Sequence, residues 1–256
     1  MNVAGRVVVI TGAGSGIGAA LARRCALDGA ARVVVSDREA ASAEALAREI
    51  GGLAIAADVA HEAQTRALID EAERRCGPIG LFCANAGVTA RGGVELPDAE
   101  WQRLWQINVM AHVHAARALV PRMLARGGGH LLFTASAAGL LSQFDAPYAV
   151  TKHAAVAHAE WLSITYGHRG LGVSCLCPLG VDTPMLQAED GARRALLSQD
   201  LMSADAVAQV VMQGLAADDF LILPHPQVRE FMRRRGQDHG RWLQAMRPLH
   251  AQADGG

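Results

Sequence analysis

A tyrosine and a lysine, Tyr148 and Lys152, stand four residues apart in a segment that predicts a helix. At this spacing both side chains lie on one face of the helix, a single turn apart. A phenol has a pKa of about 10 and is a poor base at neutral pH, but a neighbouring ammonium group favours the phenolate. The pair is therefore a candidate for proton exchange with a substrate. In the alternative interpretation, the Tyr148 hydroxyl points outward and Lys152 is solvated.

A serine at the end of a predicted strand favours the catalytic interpretation. Ser136 directly follows the run 130–135, which predicts the fifth strand of the chain. The carboxyl ends of strands in an open α/β sheet border its binding crevice. A hydroxyl at this place can hold a substrate oxygen beside the phenol.

A glycine-rich turn near the amino terminus predicts a phosphate site. The β-branched run 7–10 predicts a strand buried on both faces, and the apolar periodicity of 17–27 predicts a helix. Gly12, Gly16 and Gly18 join the two, and there the backbone N–H groups and the helix dipole favour an anionic pyrophosphate. An ordinary tight turn is the alternative. The position of the loop in the first βα unit favours a dinucleotide.

Strand and helix patterns alternate along the rest of the chain. Further strands are predicted at 31–37, 53–58, 80–84, 130–135, 172–178 and 220–224. Further helices are predicted at 39–50, 61–76, 98–126 and 146–168. This alternation requires a parallel sheet with right-handed crossovers and helices on both faces. The sequence thus predicts an α/β fold, a single doubly wound Rossmann-type domain with a parallel sheet of about seven strands.

The chain of 256 residues is long enough for one such domain. Residues 1–226 are predicted to form the dinucleotide-binding unit with the catalytic centre. Residues 227–256 are predicted to form a helical extension of the same domain, weakened in its middle by Gly236 and Gly240. Two interpretations of this helix stay open. It covers the sheet edge or a subunit contact, or it roofs the substrate pocket, where the arginines at 233–235 would meet an anionic group.

Composition and charge exclude several classes of partner. A net charge of −1 and a pI near 6.8 give no field that would attract nucleic acid or an anionic membrane. No apolar run reaches about 18 residues and no signal peptide is apparent, so we expect a cytoplasmic protein. The five cysteines form no C-x-x-C pair and are expected to be buried thiols. The histidines at 112, 114, 153 and 158 lack matching ligands, so no metal site is expected.

Asp37 ends the second predicted strand, where a dinucleotide fold presents the adenosine ribose. A carboxylate there accepts hydrogen bonds from the ribose hydroxyls and repels a 2′-phosphate. Two unit charges about 4 Å apart interact by roughly 4 kcal/mol at an effective dielectric near 20. Asp37 therefore favours NAD over NADP, whereas the adjacent Arg38 could pair with a 2′-phosphate. The alternative role of Asp37 is to cap the next helix.

These motifs together resemble the short-chain dehydrogenase/reductase family over residues 5–183. The T-G-x-x-x-G-x-G loop, the N-A-G motif at 85–87, Ser136 and the Tyr148-x-x-x-Lys152 pair carry the resemblance. They imply a nicotinamide cofactor and general acid-base catalysis coupled to hydride transfer.

The resemblance also implies roles for four catalytic residues. Tyr148 would be the general acid/base, and Lys152 would lower its pKa and bind the nicotinamide ribose. Ser136 would orient the carbonyl or alcohol. Asn108, in the predicted helix 98–126, would hold a water that relays protons to Lys152.

The family pattern likewise implies the cofactor contacts. Asp58 and Val59 match the pair that contacts the adenine, Asn85 and Gly87 shape the cofactor floor, and Val181 and Thr183 contact the nicotinamide amide. Ser15 stands where family members that use NADP are often basic, which again favours NAD. The complete predicted set of cofactor-binding residues is Gly12, Ser15, Gly16, Ile17, Gly18, Asp37, Arg38, Asp58, Val59, Asn85, Gly87, Tyr148, Lys152, Val181 and Thr183.

Two features depart from the family pattern. Ser136 and Tyr148 are 12 positions apart, one fewer than is common, so the loop 137–147 is expected to be one residue short. Leu179 occupies the place of the usual glycine in the motif P-G-x-V-x-T-x-M. Both departures fall beside the expected substrate position and leave the catalytic residues intact.

The leading functional hypothesis is an NAD-dependent oxidoreductase that interconverts a hydrophobic secondary alcohol and its ketone, because apolar side chains flank the expected pocket. These side chains are Leu140, Leu141, Phe144, Met185 and Leu186. The alternatives are an NADPH-dependent ketoreductase of the 3-oxoacyl type and a non-catalytic NAD(H)-sensing module. The resemblance further implies a homotetramer or homodimer.

Overall fold

Parallel strands form the centre of the computed structural model, which describes residues 1–142, 144–189 and 191–253. The strands are β1 (Val7–Thr11), β2 (Arg32–Asp37), β3 (Leu53–Ala56), β4 (Ile79–Ala84), β5 (Gly129–Thr134), β6 (Leu171–Leu176), β7 (Val181–Asp182), β8 (Met202–Ser203) and β9 (Leu221–Ile222). Seven of them form one sheet in the order β3-β2-β1-β4-β5-β6-β9, and β7 pairs with β8 outside it. The predicted doubly wound α/β fold is confirmed.

Helices cover both faces of this sheet. They are α1 (Gly16–Leu27), α2 (Ala40–Ile50), α3 (Glu62–Cys76), α4 (Asp98–Trp105), a π-helix (Gln106–Met110), α5 (Ala111–Ala125), α6 (Ala138–Leu141), α7 (Ala146–Tyr166), a 3-10 turn (Gly167–Arg169), α8 (Pro184–Gln187), α9 (Gly191–Leu197), α10 (Ala204–Ala217), α11 (Gln227–Gln237) and α12 (His239–Ala253). Helices α1, α2 and α10 pack on one face, and α3, α5 and α7 pack on the other.

The apolar composition of β1 follows from this double cover. Val8 and Ile10 enter the cluster beneath α1 and α10. Val7 and Val9 enter the cluster on the opposite face. Successive side chains of a strand point to opposite faces, so a strand covered on both sides must be apolar throughout.

The helix predicted at 98–126 is interrupted. The π-helix Gln106–Met110 separates α4 from α5, and the buried Asn108 lies within it. A π-turn holds one residue more than an α-turn and so rotates the following helix face by about 100°. The sequence pattern therefore located the helical segment but not the interruption that places Asn108.

The single helix predicted for the carboxyl-terminal extension is wrong, because two helices are present. Asp238 separates α11 from α12 with an extended backbone (φ −149°), and its Oδ1 accepts a 2.9 Å hydrogen bond from the Arg241 N–H. Asp238 thus ends one helix and caps the next. Val228 is fully buried, and Phe231 and Met232 pack against the same core. The proposed domain boundary after residue 226 stays a prediction.

One long helix was not predicted. Helix α10 begins after Ser203, whose hydroxyl accepts a hydrogen bond from the Ala206 N–H. Val207, Val211 and Leu215 recur at helical spacing and are buried. Both the cap and the periodicity are visible in the sequence.

The strand order creates a crevice between β1 and β4. The helix after β1 packs on one face of the sheet, whereas α5, the longest helix between β4 and β5, packs on the other. The connections therefore diverge at the carboxyl ends of these neighbouring strands, where ligands of open α/β sheets bind.

The structure also bears on other predicted properties. The described helices include none that is long and apolar enough to cross a membrane. Four cysteines (25, 83, 175 and 177) are buried and Cys76 is half-buried, all of them as free thiols. In the described part of the chain, no three His, Cys, Asp or Glu side chains are grouped as metal ligands.

Candidate active site

A cleft of about 390 Å³ runs along the carboxyl ends of the central strands. It brings together every predicted site residue except Gly18 and Asn108, which lie just behind its surface. The lining residues from the predicted set are Gly12, Ser15, Gly16, Ile17, Asp37, Arg38, Asp58, Val59, Asn85, Gly87, Ser136, Tyr148, Lys152, Val181 and Thr183.

The glycine loop approaches its neighbours too closely for side chains. Gly12 has a φ of +61°, and a Cβ there would lie 2.7 Å from the Ala86 Cα. A Cβ on Gly18 would collide with the Gly12 carbonyl oxygen. Gly18 therefore packs α1 against the loop, and Gly16 at the start of α1 lines the cleft. The unpaired N–H groups of a first helical turn suit an anionic group at this end.

Asp37 is held at the cleft by backbone donors. Its Oδ2 accepts a 2.9 Å hydrogen bond from the Gly14 N–H, and its Oδ1 accepts one of 3.1 Å from the Glu39 N–H. The N-cap of α2 is Glu39, so the alternative in which Asp37 caps the helix is not what the structure shows. Arg38 has a largely exposed guanidinium that lies 3.4 Å from the Glu39 carboxylate. Gly14, which was not among the predicted site residues, fixes the Asp37 carboxylate.

Asn85 ties three strand ends together beneath the cleft. Its amide nitrogen donates to the carbonyls of Thr11 (3.1 Å) and Gly12 (3.2 Å). Its amide oxygen accepts from the Thr134 hydroxyl at 3.1 Å. The side chain therefore cross-links the ends of β1, β4 and β5 and fixes the floor of the crevice.

The tyrosine, serine and lysine meet at the other end of the cleft. Tyr148 lies in the first turn of α7, and Ser136 follows β5. The Ser136 hydroxyl hydrogen-bonds with the phenol and accepts a 3.1 Å bond from the Ala138 N–H. The Lys152 ammonium lies 5.6 Å from the centre of the Tyr148 ring. The spacing that predicted a shared helix face therefore does bring these groups together.

Burial dominates the ionisation of both groups. It raises the pKa of Tyr148 above its usual value, although the hydrogen bond with Ser136 lowers it. It also lowers the pKa of Lys152 to about 8. The Lys152 ammonium donates a 2.9 Å hydrogen bond to the Thr134 carbonyl. In the protein alone, the predicted lowering of the Tyr148 pKa is not found, because loss of solvation exceeds the favourable interactions.

Asn108 is anchored on all sides by short hydrogen bonds. Its Nδ2 donates to the Val88 carbonyl (2.9 Å) and to the Thr151 hydroxyl (3.1 Å), and its Oδ1 accepts from the Val88 N–H at 2.9 Å. The Thr151 hydroxyl in turn donates to the Tyr148 carbonyl at 3.0 Å. Both amide N–H groups are thus occupied, so a relay water would meet only the oxygen atoms of Asn108. Thr151, missed by the sequence analysis, joins the π-helix to the tyrosine helix.

Apolar side chains form the wall beside the tyrosine. Phe144, Met185 and Leu186 line the cleft as predicted. Leu140 and Leu141 do not, because the short helix α6 turns both into the core. The additional apolar lining residues are Val88, Ile107, Leu179 and Leu197.

The short loop before α7 reaches the cleft through strained backbone. Ser142 and Phe144 have φ values of 53° and 55°, a left-handed conformation that is uncommon for residues with a Cβ. These two left-handed residues are compatible with a loop one residue shorter than is common in the family. They leave Phe144 in the cleft wall.

The carboxyl-terminal helices reach the same wall from behind. Arg235 of α11 donates to a carbonyl of α6. His250 of α12 donates to the Phe144 carbonyl at 3.2 Å, and the two rings lie 6.2 Å apart. The other two arginines of the run 233–235 pair with Glu230 at 2.7 Å. The extension therefore both covers the core and braces the wall at Phe144.

The arrangement fits a dinucleotide that bears a reactive ring. One end offers the Asp37 carboxylate, the middle offers a side-chain-free loop at a helix amino terminus, and the far end offers the Ser136, Tyr148 and Lys152 cluster. The ribose hydroxyls of an adenosine, anionic phosphates and a ring that exchanges hydride find matching groups in that order.

Comparisons with known proteins agree with this geometry. A profile of the family described as short chain dehydrogenase matches residues 6–194. The chain is similar to a 1-deoxy-11-beta-hydroxypentalenate dehydrogenase of Streptomyces exfoliatus, with 37% identity over 248 residues that cover 93% of this chain and 90% of the relative. The protein of the same name in Streptomyces avermitilis is 39% identical over 232 residues, which cover 87% of this chain and 85% of the relative.

A solved structure shows the same arrangement of the backbone. The crystal structure of a short chain dehydrogenase/reductase from Burkholderia phymatum, in complex with NAD, superposes with a TM-score of 0.86 at 31% sequence identity. The superposition covers 93% of this chain and 95% of that one.

The Thr151 hydroxyl is expected to contribute measurably to stability. Thr151→Val keeps the shape but leaves a buried Asn108 N–H without its acceptor, so the free energy of unfolding should fall by about 1–3 kcal/mol. Thr65→Val is a matched control, because that buried hydroxyl makes a single 3.5 Å bond to the Val59 carbonyl. Urea denaturation of both variants measures the difference. Equal losses in the two variants would contradict the anchoring role.

Proposed function

The chain belongs to the short-chain dehydrogenase/reductase family and is an oxidoreductase that acts on CH–OH groups, and we propose that it interconverts a hydrophobic secondary alcohol and its ketone with NAD. One observation supports the chemistry above all others. One end of a single cleft is lined by Ser136, Tyr148 and Lys152 together.

We assign the proton chemistry to Tyr148. In alcohol oxidation its phenolate takes the hydroxyl proton, and in ketone reduction its phenol returns a proton to the oxygen. The Ser136 hydroxyl, already hydrogen-bonded with the phenol, holds the substrate oxygen beside it. The Lys152 ammonium, 5.6 Å from the centre of the Tyr148 ring, stabilises the phenolate. Asn108 holds the π-helix against α7 and so fixes the position of Tyr148.

The bound nicotinamide ring supplies the hydride acceptor for oxidation and the hydride donor for reduction. We propose that Gly12, Ser15, Gly16 and Ile17 hold its pyrophosphate, and that Asp37 and Arg38 border the adenosine ribose. Asp58 and Val59 would contact the adenine, and Val181 and Thr183 the nicotinamide amide. All of these residues line the cleft.

Asp37 supports the choice of NAD. Its carboxylate is fastened by two backbone N–H groups and so cannot turn away from a 2′-phosphate without losing them. Arg38 is largely exposed and lies beside Glu39, which offers it a competing partner. The NADPH-dependent ketoreductase alternative is therefore less well supported than NAD use.

The apolar wall supports a hydrophobic substrate. Phe144, Leu179, Met185 and Leu197 face the same cleft as the tyrosine. An alcohol with an apolar skeleton would be stabilised there by burial, at about 25 cal/mol for each Å² removed from water. The names of the two Streptomyces relatives also give an alcohol as the substrate, a hydroxypentalenate.

We also propose that the protein is a homodimer or homotetramer. The face of α7 that is turned away from the core exposes Val150, Trp161 and Ile164, with Ile164 81% exposed. Trp105 at the end of α4 is exposed as well. Large apolar side chains clustered on one surface indicate a protein interface. The cytoplasmic location stays a prediction.

Removal of the Tyr148 hydroxyl is expected to abolish turnover. Tyr148→Phe keeps the ring but removes the proton carrier, and kcat should fall by about 10²- to 10⁴-fold. Tyr166→Phe, the other tyrosine of the same helix, serves as the control and should retain activity. Absorbance of the reduced cofactor with a panel of secondary alcohols measures both. A Tyr148→Phe enzyme as fast as the parent would refute the proposed chemistry.

The pH dependence of kcat/KM should differ between the two directions. Burial raises the pKa of Tyr148, so the phenolate is a minor form that grows about tenfold per pH unit. Oxidation needs the phenolate, so kcat/KM for the alcohol should rise from neutral pH to about 8, where half of the Lys152 side chains have lost their charge. Reduction needs the phenol and should show no such rise. An oxidation rate that falls over this interval contradicts the assignment of Tyr148 as the base.

Asp37 is expected to determine the choice of cofactor. In the parent, kcat/KM should be at least about 100-fold higher with NAD than with NADP, since the repulsion between the Asp37 carboxylate and a 2′-phosphate is worth a few kcal/mol. Asp37→Ser removes the charge and should reduce this ratio at least about tenfold. Glu44→Gln removes an exposed charge of α2 that does not line the cleft and should leave the ratio unchanged. A parent enzyme equally efficient with both cofactors would overturn the NAD assignment.

The exposed face of α7 is expected to mediate self-association. Ile164→Arg introduces a charge on that face and should shift the protein toward monomer in light scattering after size-exclusion chromatography. Leu27→Arg, on the equally exposed end of α1, should leave the mass unchanged. If the parent is a monomer, the proposed oligomer is wrong.

A further inference from the structure

A buried histidine outside the catalytic cluster holds three backbone groups at once. His225 follows β9 and is only 2% exposed. Its Nδ1 accepts a 3.2 Å hydrogen bond from the Leu179 N–H. Its Nε2 lies 3.2 Å from the Gly180 carbonyl oxygen and 3.0 Å from the Asp200 carbonyl oxygen.

These partners define the state of the imidazole. A backbone N–H can only donate, so Nδ1 must carry a lone pair, and two carbonyls can only accept, so Nε2 must carry the proton. His225 is therefore neutral, with its hydrogen on Nε2. Burial lowers the pKa of His225, which agrees with this state. Every polar atom of the ring is occupied, as is usual for buried polar groups.

The first two partners belong to the cleft. Leu179 and Gly180 line it and lead directly into β7, which carries Val181. Leu179 stands where a glycine is usual in the family pattern, so its side chain adds to the pocket wall. The Leu179 N–H, a group that any residue at this position retains, is held by His225.

The third partner belongs to the segment that follows α9. Asp200 lies three residues beyond Leu197, which lines the cleft. The Gly180 carbonyl also accepts from the Met202 N–H at 3.2 Å, next to the β7–β8 pair. A Cβ on Gly180 would collide with the Leu197 carbonyl, so the two backbones are already in contact. His225 thus joins two segments at the point where both enter the pocket.

The turn that carries His225 is itself fixed to the core. Val228 follows three residues later and is fully buried, and its N–H donates to the His225 carbonyl at 3.1 Å. Gln227 donates a second bond to this region, from its side-chain amide to the Asp200 carboxylate at 2.9 Å. The backbone that carries the imidazole is therefore held in a fixed position.

We propose that His225 is a positioning residue, which sets the backbone of Leu179 and Gly180 against Asp200 and so fixes the pocket wall beside the catalytic tyrosine. The proposal deepens and rests on the proposed alcohol oxidation. Without His225, the Leu179 N–H and the Asp200 carbonyl would need new partners, and the Gly180 carbonyl would keep only the Met202 N–H. The wall and the predicted nicotinamide contacts after it would then lose their fixed position.

Substitutions of His225 separate positioning from simple stabilisation. His225→Phe removes all three hydrogen bonds, and kcat/KM for the alcohol should fall by about 10- to 100-fold, the cost of a small misplacement. The KM for NAD should change far less, because Asp37, Asp58 and Val59, the proposed adenosine contacts, lie at the other end of the cleft. His225→Asn keeps an acceptor near the place of Nδ1 and should recover most of the loss. His239→Phe, at the exposed start of α12, is the matched control.

Hydrogen exchange supplies a readout independent of turnover. In the cofactor-free His225→Phe protein, peptides that cover 179–183 should exchange faster than in the parent, whereas peptides that cover 32–37 should not change. If His225→Phe does not fold, His225→Gln, whose longer amide can place a donor near the position of Nε2 but no acceptor at that of Nδ1, should show the same local increase and a lower kcat/KM.

The outcomes distinguish the two proposals. If the parent turns over no alcohol with either cofactor, the proposed function fails, and exchange at 179–183 still tests the role of His225. If the folded variants match the parent in exchange and in kcat/KM, the positioning role is wrong. The same holds if the Phe and Asn variants lose activity equally, or if the losses follow global stability alone.

Discussion

The site depends on an opposition between burial and charge at one phenol. To act as the proposed base, Tyr148 must lose a proton, yet burial raises its pKa and the hydrogen bond with Ser136 only partly offsets this. Lys152 is affected by the same burial, which lowers its pKa to about 8 and leaves its positive charge only marginally stable. The protein by itself thus keeps the tyrosine protonated. Additional positive charge at the cleft is what would turn this phenol into a base.

The surrounding structure holds Tyr148 and Lys152 in a buried place that disfavours the charged form of both side chains. The Lys152 ammonium is fastened to the Thr134 carbonyl, and the Thr134 hydroxyl is fastened to Asn85. Asn108 and Thr151 connect the π-helix to the backbone of Tyr148. Each link is a buried or part-buried hydrogen bond of about 3 Å, so no member can shift without leaving a polar group unpaired. The fixed geometry follows from that cost.

The sequence was sufficient where local pattern and fold act together. The glycine loop, Asp37 and the Tyr148–Lys152 pair were found because strand ends of a parallel sheet meet at one edge. It was insufficient where the tertiary environment decides. The π-turn around Asn108 has no periodic signature, and Leu140 and Leu141 enter the core only because α6 turns them. The direction in which the pKa of Tyr148 shifts depends on burial, which residue spacing cannot reveal.

The residues proposed to carry the reaction and those proposed to select the substrate lie in different parts of the chain. The groups that exchange protons and fasten the cofactor end lie mostly before Thr183, in segments tied directly to the sheet. The wall that would recognise the substrate is assembled from pieces far apart in the chain. Phe144 is braced by α12, and Leu179 is joined through His225 to Asp200, in the segment that follows Leu197. Because each piece is held by a different contact, the wall can change in shape through substitutions that leave the proton chemistry intact. A positioning histidine beyond the last strand is therefore where selectivity, rather than reaction type, would be set.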